Sequence, residues 1–129
     1  MAYEVTWETS GAYKKFAGHV SDEELRRSVS RIHGDRRFDD LRYVINDFLA
    51  VESYDVSEEN VMYIAAIDGA AARSNPNIRI ALVLSQAHGT ELALRYASAP
   101  WTVYPTRIFH STEEARAWAI ADVQPATRP

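Results

Sequence analysis

The chain has 129 residues, no cysteine and a formal net charge of −4. Disulfides, thiolate metal sites and cysteine nucleophiles are therefore excluded. The acidic balance argues against a nucleic-acid partner, which needs a basic surface to neutralise phosphate. No apolar run approaches the roughly 20 residues of a membrane span. The first residues, MAYEVTWETSG, lack the basic and apolar regions of a secretion signal. A cytoplasmic protein is expected, with one domain over 1–122. The tail over 123–129, with two prolines and little to bury, is expected to be disordered.

Residues 3–8 alternate, Tyr3, Val5 and Trp7 against Glu4, Thr6 and Glu8, which predicts a half-buried strand. Ser10-Gly11 is a turn signal, and 12–20 form a second strand, so a hairpin opens the chain. A helix runs from Ser21 to about His33, with Leu25, Val29 and Ile32 on one face and Gly34 as its stop. Residues 42–49 form a third strand, followed by a loop, FLAVESYDVSEEN. A second helix spans Ser57 to about Ser74, its stripe being Val61, Ile64, Ala65, Asp68 and Ala72. Strand 78–85, a helix over 89–99, strand 103–109 and a helix from Ser111 to about Ala121 complete the chain. Pro105 cannot donate to a ladder, which puts the fifth strand at a sheet edge. After the hairpin, alternating strands and helices imply parallel strands with right-handed crossovers. The one-sided patterns, such as Ile78, Ile80, Leu82 and Leu84 against Arg79, Ala81, Val83 and Ser85, predict helices mainly on one sheet face.

This element order, β-β-α-β-α-β-α-β-α, resembles STAS domains, specifically their SpoIIAA-like (anti-sigma-factor-antagonist-like) stand-alone bacterial branch. The carrying segments are YEVTWETSGAYKKFAGHVSDEE, GDRRFDDLRYVINDF, AARSNPNIRIALV and YPTRIFHSTEEARAWA. The resemblance implies an α/β fold with a five-stranded mixed sheet and four helices. It also implies a protein-binding or ligand-sensing module rather than an enzyme. Regulatory members are phosphorylated on a serine or threonine in a D-S-x-G-type turn after the third strand. Here Ser57 stands in that region, behind a glycine-free segment and ahead of Glu58 and Glu59, which would repel a phosphate.

Three helix starts share one design. Ser21, Ser57 and Ser111 are each followed three residues later by Glu24, Asn60 and Glu114, the pattern in which a serine caps orphan N–H groups. Val20–Leu25 and Val56–Val61 add apolar staples. Capping alone accounts for these serines. A parallel sheet also gathers strand C-termini and helix N-termini on one edge, where ligands bind. That edge is expected to hold His19, Asp47, Ser57, Ser85, His110 and Ser111.

The four histidines, His19, His33, His88 and His110, show no helical zinc spacing and no HExxH, so no metal site is expected. His33 reads as a cation at a helix C-terminus. There is no G-x-S-x-G elbow, P-loop or G-x-G-x-x-G, and no cofactor is implied. Arg26, Arg27, Arg31, Arg36 and Arg37 are balanced by neighbouring acids and read as a solvated face. The second helix also carries Met62, Tyr63, Ala66, Ile67 and Ala70, a wide apolar band for one sheet contact.

These features favour a non-enzymatic regulatory or protein-interaction module, a homodimer through the barer sheet face or the second helix. The second reading is a carrier or sensor of a small apolar ligand or lipid. The third, an enzyme, would require a buried Asp47 with a histidine within hydrogen-bond reach.

Overall fold

The structure, a computed structural model, describes residues 3–122. The elements are β1 (Tyr3–Trp7), β2 (Gly11–Ser21), α1 (Asp22–His33), β3 (Tyr43–Asp55), α2 (Glu58–Ala71), β4 (Arg79–Val83), α3 (Thr90–Ala97), β5 (Thr106–Phe109) and α4 (Thr112–Ile120). The strands lie in the sheet in chain order. β1 is antiparallel to β2, and every later pairing is parallel. The expected order and mixed five-stranded sheet are both present. The expected tail over 123–129 lies outside the described residues.

Alternation along the strands sorts the core into two layers. Val44, Ile80 and Leu82 face one way and pack with Val29 and Ile32 of α1, Val61 and Ile64 of α2, and Ala93 of α3. Tyr43, Ile45, Ala81 and Val83 face the other way, against Ala115 and Ala119 of α4. Three helices thus cover one face and one helix covers part of the other, as the one-sided strands imply. Arg116 ties α4 to the sheet by pairing with Glu8, whose carboxylate also accepts the Tyr43 hydroxyl at 2.5 Å.

β3 is longer than its sequence pattern suggests. The stretch read as a loop continues the strand to Asp55, paired with β2 from Ala17↔Ala50 to Ser21↔Asp55, with one register shift just before Ala17 and another between Gly18 and His19. The reason is burial: Val51 and Val20 close an apolar cluster with Tyr3 and Phe16, with Phe48 and Tyr54 packed against it. Glu52, Ser53 and Asp55 stay exposed. Gly18, at φ +70°, takes the left-handed turn that this irregular pairing needs. β5, in contrast, is shorter than expected. Pro105 sits just before it and accepts the Ile80 N–H at 2.8 Å, while the strand does lie at the edge.

Gly34 ends α1 with right-handed angles, φ −84°, so its glycine freedom is not used there. The chain passes into a 3-10 turn, Arg36–Asp40, capped by Asp35, which accepts the Arg37 N–H at 2.8 Å.

Gly69 is where α2 meets the segment after α3. A Cβ placed there would lie 2.6 Å from the Trp101 carbonyl oxygen. Gly69→Ala is therefore expected to destabilise the protein by about 1–3 kcal/mol through this clash. Urea unfolding measures it, and an unchanged midpoint would show that the approach is not tight.

Candidate functional site

The inward face of the sheet and helices α1–α3 do not close completely. They leave a cavity of about 120 Å³. Its wall is mainly apolar, including Val29, Val44, Ile64, Ile80, Leu82 and Ala93. Lys14, Ser28, His33, Asn46 and Asp68 bring the polar groups, with Tyr54, Tyr96 and Tyr104 adding hydroxyl-bearing rings.

Lys14 reaches this place through strand alternation. Ala12, Lys14 and Phe16 are the inward positions of β2, and Ala12 and Phe16 are fully buried. Lys14 is only 5 % exposed. Its Nζ donates to Ser28 Oγ at 3.2 Å, and Ser28 donates onward to the Leu25 carbonyl at 2.8 Å. Desolvation pulls the ammonium down to about 8, with the charge of Asp68 pulling the other way.

Asp68 comes from the α2 stripe. One carboxylate oxygen lies 2.9 Å from His33 Nε2, and the other accepts the Tyr96 hydroxyl at 2.5 Å. Burial, then the Asp68 charge and hydrogen bond, raise the Tyr96 hydroxyl well above its ordinary value. Burial likewise raises Tyr104, which donates to the Asn75 carbonyl at 2.8 Å. Asn75 in turn donates to the Phe38 and Leu41 carbonyls, both at 2.8 Å, pinning the 3-10 turn to the end of α2. His33, read from sequence as a cation for the helix dipole, is thus a partner of Asp68, with its ring edge-on to Phe38.

The strand edge singled out from sequence divides in two. Asp47 is level with Val83 and Phe109, so Asp47, Ser85, His110 and Ser111 sit where β4 and β5 end. His19 and Ser57 lie at the far end of the β2–β3 ribbon. Asp47 is buried and accepts the Tyr13 hydroxyl and the Leu49 N–H, the latter at 2.9 Å. It braces backbone and a tyrosine, where the enzyme reading needed a histidine. Tyr13 is raised by burial and by Asp47. His110 Nδ1 is 2.8 Å from the Leu84 carbonyl; His19 Nδ1 is 2.8 Å from Ser53 Oγ. Ser85 Oγ is buried and has no hydrogen-bond partner among the described residues.

Ser21, Ser57 and Ser111 all cap their helices, accepting the N–H of Glu24, Asn60 and Glu114. Ser57 does more. Its N–H and hydroxyl donate to the Asp22 carboxylate at 2.8 and 2.9 Å, latching the starts of α1 and α2 together. A phosphate on Ser57 would face Asp22 as well as Glu58 and Glu59. Ser57→Ala is expected to cost about 1 kcal/mol. Thermal melting measures it, and a loss well above that would mean the latch matters more than the cap.

In the arginine cluster, Arg27 pairs with Glu23 at 2.6 Å. Arg37 pairs with Asp35 and lies 4.0 Å from the Trp7 ring centre. Among the described residues, no three histidine, aspartate or glutamate side chains converge as a metal site would require.

Three solved structures share this fold. The anti-sigma factor antagonist SpoIIAA in its unphosphorylated form aligns with a TM-score of 0.62 at 10 % identity, over 95 % of this chain and 100 % of that one. SpoIIAA in its phosphorylated form, described as a Bacillus cell fate determinant, aligns at 0.56 and 9 % identity, over 91 % and 99 %. An uncharacterized DUF3478 protein from Shewanella loihica PV-4 with a SpoIIAA-like fold aligns at 0.54 and 14 % identity, over 92 % of each chain. The chain has a SpoIIAA-like fold, as its element order implied. No family model and no curated protein matches it.

Proposed function

We propose that this protein is a non-enzymatic regulatory module that takes a small, largely apolar molecule into the cavity beneath α1–α3. One observation carries the reading: the roughly 120 Å³ left open inside an otherwise packed core. Protein interiors rarely leave voids larger than a water molecule. An apolar wall with a few convergent polar groups is the build of a ligand pocket. An engineered cavity of about 150 Å³ in another protein takes up benzene, which sets the scale of the occupant. No helix among the described residues is long and apolar enough to cross a membrane, and a cytoplasmic role belongs to this proposal. Native mass spectrometry of freshly purified protein is expected to show a small adduct. Amide NMR signals of Val44, Ile64 and Leu82 are expected to shift on adding benzene. Absence of both would remove the reading.

Self-association is a second reading, with its own observation. The bare part of the α4-side sheet face carries Glu4, Thr6 and Lys15, all exposed, and suits water. Of the large exposed apolar side chains among the described residues, Tyr63, Leu94, Trp101 and Val103 lie on α2, α3 and the following segment, while Leu49 lies on β3 and Ile120 on α4. A homodimer would use that side. Light scattering at micromolar concentration decides it, and a clean monomer removes the dimer. A phospho-switch at Ser57, suggested by the phosphorylated SpoIIAA structure, ranks below both because Asp22 already occupies the hydroxyl.

A further inference from the structure

The cavity is not neutral. It holds one desolvated cation, and the groups around that cation leave part of it unanswered. The Lys14 ammonium carries three N–H donors; among the described residues its hydrogen-bond acceptor is Ser28 Oγ, and its Nζ also lies 5.7 Å from the centre of the Phe16 ring. The carboxylate nearest in the electrostatic sense, Asp68, is occupied by the Tyr96 hydroxyl and His33. Ser28 has already given its own proton to the Leu25 carbonyl. A buried ammonium with so little hydrogen bonding is costly, by several kcal/mol for an ion held away from water. An anion entering the cavity would offset that cost, while the apolar wall selects what the anion is attached to.

We infer that the cavity receives a small apolar monocarboxylate, its carboxylate paired with Lys14 and its hydrocarbon part against Val44, Ile64, Ile80 and Leu82. This rests on the ligand-binding reading above and specifies the chemistry of the ligand. The volume of about 120 Å³ favours a branched or ring hydrocarbon of roughly five carbons, on the scale of the benzene-binding cavity.

The titratable groups that line the cavity with Lys14 are His33 from α1, Asp68 from α2, Tyr96 from α3, Tyr54 from β3 and Tyr104 ahead of β5, and the charge that acts on Lys14 is that of Asp68. Burial holds the tyrosine hydroxyls protonated well into the alkaline range. Lys14 loses its charge near 8, so the pairing weakens as pH rises through that value.

The test is isothermal titration of the intact protein with isovalerate and with its neutral counterpart, isoamyl alcohol. At pH 7 isovalerate is expected to bind about tenfold tighter or more. The preference is expected to vanish at pH 9.5, and to vanish at pH 7 in Lys14→Met while alcohol binding remains. Should the alcohol bind as well as the acid, the carboxylate inference falls and the ligand-binding reading stands. If the acid preference survives in Lys14→Met, the carboxylate inference is likewise overturned. Binding of neither at millimolar concentration overturns both. Should Lys14→Met fail to fold, the pH series on the parent protein decides the matter alone.

Discussion

Replacing Asp68 by alanine is expected to cost several kcal/mol, at about 1–3 kcal/mol for each buried polar group left without its partner. Three groups lose by it. His33 Nε2 and the Tyr96 hydroxyl each lose a hydrogen-bond acceptor at 2.9 and 2.5 Å. Lys14 also loses the one charge that favours its protonated form. A buried hydroxyl left without a partner is itself expensive. Thermal melting should fall by about ten degrees or more. Asp68→Asn keeps an acceptor for Tyr96 and should recover part of the loss. A melting point within a couple of degrees of the parent in Asp68→Ala would show that the three helices do not depend on this carboxylate.

Lys14→Met should act in the opposite direction and reshape the pH profile. The native ammonium titrates near 8, against 10.5 in the unfolded chain. Below 8 both states hold the proton, and folding bears the full desolvation cost. Between 8 and 10.5 the unfolded chain binds more protons than the native one, so stability rises with pH across that window. The whole swing is roughly 3 kcal/mol. Tyr54, Tyr96 and Tyr104 have the opposite sign. Their hydroxyls are raised above 10.0 by burial, so the stability they add is intact below 10 and is lost as pH climbs beyond it. The parent should therefore be most stable near pH 10. The methionine variant should be flat from 8 to 10 and should gain up to roughly 3 kcal/mol at pH 7, since apolar replacements of buried charges are often stabilising. Urea melts at pH 7, 8, 9 and 10 test this; parallel profiles for the two proteins would sink it.

The element order was legible because strand and helix periods are local properties. So were the three serine caps, which need only a hydroxyl and the right following residues. The extent of β3 was not, since Glu52, Ser53 and Asp55 look like loop, and only the packing of Val51 and Tyr54 on Phe16 and Val20 keeps the strand going. The residues expected along one edge fall at two places, because β2 and β3 run on beyond the ends of β4 and β5. The cavity left two traces in the sequence: Lys14 alternates with Ala12 and Phe16 on an inward face, and Asp68 stands in an apolar stripe. Each alone reads as an exception to a pattern. That both line one cavity depends on how α1 packs on β2 and α2 packs beside α1, and no local pattern carries that information.

The strand order also bears on how the chain reaches this structure. Every strand's neighbour in the sheet is its neighbour in sequence, so no pairing waits for a distant segment to arrive. Loop-closure entropy is met in small instalments, one crossover at a time. The β1–β2 hairpin, closed by a three-residue turn between Trp7 and Gly11, is the most local of these steps. Mixed α/β chains with short-range contacts fold faster than sandwiches built from remote strands. A sheet whose strand order follows the chain also suits synthesis from the N-terminal end.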